Sequence, residues 1–315
     1  MSTVPVSVAV CTHNRAHLLA AAVAAALPQT TALGGELLLV DNASTDATPA
    51  VAAALAARHP GVRVVHEPRL GLSAARNRAL AETRAPIVAF LDDDAPPRPG
   101  WLAALLEAFD APEVVCAGGR IALAFDSSPP PWLSAALHGA LSAYDLGAVP
   151  MAVRYGKATY PFGGNIAFRV EAARAAGGFS ELIGLRGRHQ LLHEETDLCY
   201  RLEHAGGLIR YAPAAVVDHQ IGTDRLSPGW MLRRYYHGGE STAVFILRNR
   251  GVARAVWRVW WQYADALARL PYDPREPIDP ERFAAECRRR EALGYVASLL
   301  RSVPQVARLR RDMAA

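Results

Sequence analysis

From Val4 to Leu91 the chain alternates short apolar runs with alanine-rich stretches of helical period. The runs Val6 to Cys11, Glu36 to Asp41, Val62 to His66 and Ile87 to Leu91 have the length of strands, and Ala16 to Leu27, Pro49 to Arg58 and Leu72 to Thr83 carry the helical spacing. Apolar runs that return after each helical stretch read as buried strands of βα units. Such units predict a parallel sheet with right-handed crossovers, with ligands held at the carboxyl ends of its strands.

Beyond Leu91 the pattern loosens. Trp101 to Phe109 predicts a helix, Val114 to Ala124 a strand, and Asp126 to Trp132, with its consecutive prolines, a loop. Glu195 to His204 predicts a helix closed by Gly206 and Gly207, followed by strands at Leu208 to Tyr211 and Ala215 to His219. The glycines between Gly177 and Gly187 predict a mobile segment, and 177–193 is expected to close over a ligand. From Trp230 onward, arginine, aromatic and alanine residues at helical spacing take over. The change falls at Ser227-Pro228-Gly229, which divides the chain into an α/β domain over 1–227 and a helical extension over 228–315.

Composition changes this picture little. The 315 residues, 51% hydrophobic and 20% charged, suit one large core with an extension. A net charge of +4 without a dense Lys/Arg block gives no reason to expect a nucleic-acid partner. Cys11, Cys116, Cys199 and Cys287 are too far apart in sequence to form a zinc ribbon and show no disulfide framework, which fits a reducing cytoplasm. The N-terminus lacks the pattern of a signal peptide, and no apolar run reaches the roughly 20 residues that cross a bilayer.

Chemistry enters at Asp92-Asp93-Asp94, which follows the apolar run ending at Leu91. Three adjacent carboxylates repel one another at a strand end unless a cation neutralises them, and hard oxygen ligands suit Mg²⁺ or Mn²⁺. A solvated acidic turn is the plainer alternative. The segment FLDDDAPPRPGW resembles the DxD metal motif of family 2 glycosyltransferases. VAVCTHNR, LLLVDNASTDAT, GLSAARNRAL, PFGGNIAFR, HEETDLCYRL and VVDHQ match the family in the same order, over about residues 4 to 220. The resemblance implies a GT-A fold: a mostly parallel central sheet with helices on both faces, here with the C-terminal helical extension.

The family pattern assigns roles residue by residue. Thr12 and Asp41, at the ends of the first two strands, fall where the family contacts the nucleotide, Asp41 at the base. A carboxylate there accepts the imide N–H of uracil or thymine, so UDP- or TDP-sugars are favoured; a turn cap is the alternative. Arg76 resembles the arginine facing the nucleotide, where a guanidinium pairs with phosphate oxygens, and a solvated helix face is its alternative. Asp92 and Asp93 belong to the donor site, and Asp94 with Asp92 and His219 to the metal. Gly164 and Asn165 resemble the donor-sugar loop, against an ordinary glycine turn.

Glu194-Glu195-Thr196-Asp197 resembles the family's Glu-Asp-x-Asp segment, which places the catalytic base at Glu195, one methylene longer than the family's aspartate. Glu194 is the second candidate. Asp197 faces Arg201 at i+4, as a structural ion pair would.

These roles imply an inverting transfer of sugar from a nucleotide carrier to an acceptor hydroxyl on a glycan, a lipid-linked molecule or a small molecule, with Mn²⁺ or Mg²⁺ as cofactor. Two other readings stand beside it: a non-catalytic sugar-nucleotide binding protein on the same fold, and a nucleotidyltransferase, for which the N-terminal loop lacks the paired glycines and lysine. In the extension, Trp257, Trp260 and Trp261 with Arg258 form a stripe that suits peripheral contact with the inner face of a membrane, and equally burial against the main domain.

Overall fold

The computed structural model describes residues 4–186, 189–269, 271 and 278–312. Two positions of the expected closing segment, 187 and 188, and residues 270, 272–277 and 313–315 of the extension lie outside them.

In chain order the elements are β1 (Val6–Thr12), α1 (Ala16–Ala32), β2 (Glu36–Asn42), α2 (Thr48–Arg58), β3 (Val62–Glu67), α3 (Leu72–Glu82), β4 (Ile87–Asp92), α4 (Trp101–Glu107) and β5 (Val114–Phe125). A 3₁₀ segment, Ala135–Leu141, precedes β6 (Met151–Val153), β7 (Asn165–Arg169), α5 (Val170–Ala175), β8 (Leu185–Arg186), β9 (His189–Gln190), α6 (Glu194–His204) and β10 (Leu208–Ile221). The chain ends in α7 (Pro228–Arg258), a π-helical turn (Val259–Tyr263), α8 (Ala264–Ala268) and α9 (Pro280–Asp312).

Eight strands form one sheet in the order β3-β2-β1-β4-β7-β5-β10-β6. It is parallel across β3, β2, β1 and β4. Beyond β4, the strand β7 pairs antiparallel with both β4 and β5. The inner parallel strands β1, β2 and β4 are apolar almost throughout because both their faces are covered, as a parallel sheet requires, whereas β3 at the sheet edge carries Arg63, His66 and Glu67. The chain moves outward from β1 to β2 to β3 and then back across to β4. Right-handed crossovers therefore put α1 and α2 on one face and α3 on the other, and α1 packs with α2 and α4 while α3 packs with α5.

Two predicted strands are one: β10 runs from Leu208 to Ile221 through Pro213. Its neighbour β6 pairs only with Ile209, Arg210 and Tyr211, so the missing N–H of Pro213 lies beyond the ladder on that side. Similarly, α1 continues past Leu27 through Pro28. Gln29 and Thr30 donate side-chain hydrogen bonds to the carbonyls of Ala25 and Ala26 around the proline.

Backbone proximity divides the chain into two compact units. The first holds 1–124, 142–187 and 194–220, and carries the sheet; the second joins 125–141 and 188–193 to everything from Ile221 onward. In the second unit α7 and α9 lie side by side. No described helix is long and apolar enough to cross a membrane.

Candidate functional site

The direction of travel reverses between β1 and β4, so their carboxyl ends open a crevice where two loops diverge. Register puts Cys11 beside Asp92, Thr12 beside Asp41, and Asp41 beside His66. The residues picked out at strand ends are thereby brought to one edge of the sheet.

Asp93 and Asp94 are buried there, and each oxygen has a specific neighbour. Thr12 Oγ1 donates to Asp93 Oδ2 at 2.6 Å, and the Arg15 guanidinium reaches Asp93 Oδ1 at 3.1 Å and Asp94 Oδ2 at 2.6 Å. Burial pushes the Asp93 carboxyl up to about 6, against the pull of Arg15 and Thr12. The far end of β10 is stitched along the acidic loop: Gln220 N–H donates to Asp94 O and Asp218 N–H to Pro96 O. Those bonds aim His219 at the acids, with Nε2 3.5 Å from Asp94 Oδ1.

Arg76 is buried rather than on a solvated face. It joins the two acidic groups, donating to Glu194 Oε1 at 2.7 Å and to Asp92 Oδ1 at 3.4 Å. Its guanidinium lies 5.8 Å from the Phe90 ring and 5.6 Å from the Phe179 ring. The backbone at Gly163 passes so close that a Cβ there would strike the guanidinium, and one at Gly164 would come within 2.8 Å of Asp92 Oδ2. Arg78, its neighbour on α3, pairs instead with Glu82 at the surface.

Asn165 and Asp41 both meet neighbouring groups of the protein. The buried Asn165 amide accepts from Trp101 Nε1 at 2.8 Å and donates to Ala215 O at 2.8 Å and Arg120 O at 2.9 Å. Its side chain joins α4, β5, β7 and β10; Gly163 and Gly164 are the part of that loop that faces the charges. Asp41 accepts the Ser44 N–H at 3.3 Å, as a turn cap does, and its other oxygen meets His66 Nδ1 at 3.1 Å.

The two glutamates that open α6 differ in surroundings. Glu194 is held by Arg76. Glu195, also buried, accepts from Thr196 Oγ1 at 3.5 Å. Burial, reinforced by the charge on Glu194 and opposed by Arg76, raises the Glu195 carboxyl above the ordinary range. Asp197 pairs with Arg201, which also bonds the carbonyls of Ala176 and Gly178, so this acid is structural.

Among the described residues no three His, Cys, Asp or Glu side chains are gathered closely enough to hold a metal by themselves. Asp94 and His219 offer a facing oxygen and nitrogen. Two protein ligands suffice for a hard cation that completes its shell with diphosphate oxygens and water. Sequence reasoning missed Arg15, the guanidinium that pairs with Asp93 and Asp94 of the acidic run. The signal was available, because three adjacent carboxylates at a buried strand end call for a nearby positive charge.

Comparison with known proteins points the same way. The family model described as glycosyl transferase family 2 matches residues 7–177. The chain is 34% identical over 215 residues to the pre-mycofactocin glycosyltransferase of Mycobacterium tuberculosis, a match covering 68% of this chain and 43% of that protein. It thus spans less than half the length of that relative. Over 266 residues it is 26% identical to the succinoglycan biosynthesis protein ExoM of Rhizobium meliloti, covering 82% and 80% of the two chains. In fold it is similar to the mannosyltransferase PcManGT of Pyrobaculum calidifontis, solved in complex with GDP-Man and Mn²⁺. The TM-score is 0.55 at 19% identity, covering 100% of this chain and 80% of that one.

Proposed function

The chain belongs to glycosyl transferase family 2, and on that premise we propose that it transfers a sugar, with inversion, from a nucleoside diphosphate carrier to an acceptor hydroxyl. The observation that carries this reading is the Arg76 bridge, which ties Asp92 at the end of β4 to Glu194 at the start of α6. It sets a paired group for the donor's phosphates and a second, less compensated carboxylate within one cluster.

The acceptor oxygen forms a bond to the anomeric carbon as the bond from that carbon to the diphosphate oxygen breaks. Glu195 takes the hydroxyl proton. It is the better base of the two because its raised pKa gives it a higher proton affinity, whereas Glu194 is engaged by the Arg76 guanidinium. Asp94 and His219 would hold Mn²⁺ or Mg²⁺ together with Asp92 of the same acidic run, assigned there by the family pattern, and the ion when bound supplies a Lewis acid for the charge developing on the departing diphosphate. Arg76 adds a fixed positive charge to that side. Asp41 is assigned to the base edge, favouring UDP or TDP, and Thr12 and Asp93 to the nucleotide side of the crevice.

A panel of nucleotide sugars, with nucleoside diphosphate release measured with and without acceptor hydroxyls, tests the reading. Turnover should require Mn²⁺ or Mg²⁺, stop in EDTA and be lost in Asp94→Ala. Undiminished turnover in EDTA defeats the metal assignment, and release from no donor defeats the transfer itself.

A further inference from the structure

Tryptophan exposure in the second unit runs against ordinary packing. Trp260 and Trp261 are 77% and 78% exposed and Trp257 is 48% exposed, with Val256 beside them. The alternative of a stripe that completes a core is met by other residues of the same stretch. Tyr263 and Ala255 are the buried ones: Tyr263 Oη donates to Glu291 of α9 at 3.0 Å, and Tyr295 Oη of α9 donates to the Ala255 carbonyl at 3.0 Å. The tryptophans lie on the residual outward side. The rings of Trp257 and Trp261 stack at 5.7 Å, and the Arg254 guanidinium sits 4.8 Å from the Trp257 ring centre. Clustered indoles held in water are the mark of a surface that meets something.

Charge says what it meets. Between Ser241 and Arg269 there are five arginines and one acidic residue, Asp265, and Asp265 is itself paired with Arg269. Over 221–315 there are 17 arginines against 10 acidic residues, whereas 1–220 has 17 basic and 20 acidic. The positive excess of the whole molecule therefore resides in 221–315, the part of the chain that carries the tryptophans. Amphipathic aromatic rings flanked by arginine suit the boundary between lipid headgroups and acyl chains, and the charge suits an anionic leaflet. No described helix is long and apolar enough to cross a bilayer, so contact through this face would be peripheral.

We propose that the face carrying Trp257, Trp260 and Trp261 docks on an anionic lipid bilayer, the indoles entering the interface and Arg254 meeting lipid phosphates. This inference is independent of the transfer reaction.

The full chain is sedimented with vesicles of phosphatidylcholine alone and of phosphatidylcholine mixed with phosphatidylglycerol. It should pellet with the anionic vesicles, weaken in high salt, and show a blue shift of tryptophan emission on binding. The double substitution Trp260→Ser with Trp261→Ser should lower partitioning at least about tenfold, since each loses most of the benefit of taking an indole out of water. Circular dichroism and nucleoside diphosphate release with a soluble acceptor should be unchanged in the double variant. Docking and transfer are thus read separately. A wild-type chain that stays in the supernatant with anionic vesicles at low salt, or a double variant that binds as wild type does, overturns the proposal. So does a concentration-dependent dimer abolished by the double substitution, which would make a second copy of the chain the occupant.

Discussion

Glu194 and Glu195 are neighbours in sequence with opposite compensation, and that difference is measurable. Glu195→Gln should lower kcat at least about 100-fold with donor affinity nearly unchanged, as removal of a general base does. Glu194→Gln should instead weaken donor binding, because it releases Arg76. The raised pKa of Glu195 has two consequences of known sign. Activity should rise with pH through a limb above the usual carboxylate range. Stability should move the other way: folding favours the protonated form, so this contribution is present below the unfolded pKa and is lost as pH rises through the folded one. The melting temperature of wild type relative to Glu195→Gln should therefore fall between acid and neutral pH; a constant difference rejects the assignment. Arg15 gives a second test. Arg15→Ala removes charged hydrogen bonds from two buried acids and should cost about 1–3 kcal/mol in EDTA, less than for a fully buried pair because Arg15 is partly exposed. Added Mn²⁺ should raise the melting temperature more in the variant than in wild type, and an equal rise defeats the idea that the guanidinium balances the same acids.

Elements show where close approach, not propensity, decides stability. Adjacent glycines of α7 predict opposite outcomes. A Cβ at Gly239 would land on the backbone of Glu291 in α9, whereas one at Gly238 meets nothing within 4 Å. Gly238→Ala should stabilise by about 0.5–1 kcal/mol through helix propensity. Gly239→Ala should destabilise by about 1–3 kcal/mol, because backbone cannot give way as a side chain can. Thermal melts of the two variants check this, and shifts of the same sign refute it. The contrast also marks how far the sequence was legible. The βα repeat from β1 to β4 stands out because its apolar periods are local, and its ends fall within a few residues of the expected ones. The strand β7, the helix α5 and the continuity of β10 are not local: they rest on bonds such as those of Asn165 to Trp101 and Ala215, 64 and 50 residues away. For the same reason Asp92, Asp94, Glu195 and His219 could be singled out as candidates by pattern, while the pairing of Arg15 and the hydrogen bonds of Asn165 needed three dimensions.

At the scale of the whole molecule, the chain enters the second unit before it reaches the extension. The stretch 125–141 holds Trp132, which packs edge-on to Phe283 of α9 at 4.9 Å, and Ala140, whose carbonyl accepts from Arg234 of α7 at 3.1 Å. Just ahead of α6, Leu192 N–H donates to Ser241 Oγ at 2.8 Å, and His193 Nε2 meets Thr242 Oγ1 at 3.1 Å. A fragment cut at residue 227, the boundary read from composition, would keep Trp132, Leu133, Leu137 and Leu141, all buried in the full chain, and lose α7 and α9. Burying each such side chain contributes about 1.5–3 kcal/mol. Losing cover on even half of that total would rival the roughly 5–15 kcal/mol by which a domain is stable. The fragment 1–227 should therefore bind a hydrophobic dye, aggregate on size exclusion and be cleaved by protease within 125–141, while the full chain resists under the same conditions. A fragment that stays monomeric and melts within a few degrees of the full chain would show that this stretch needs nothing from the C-terminal helices.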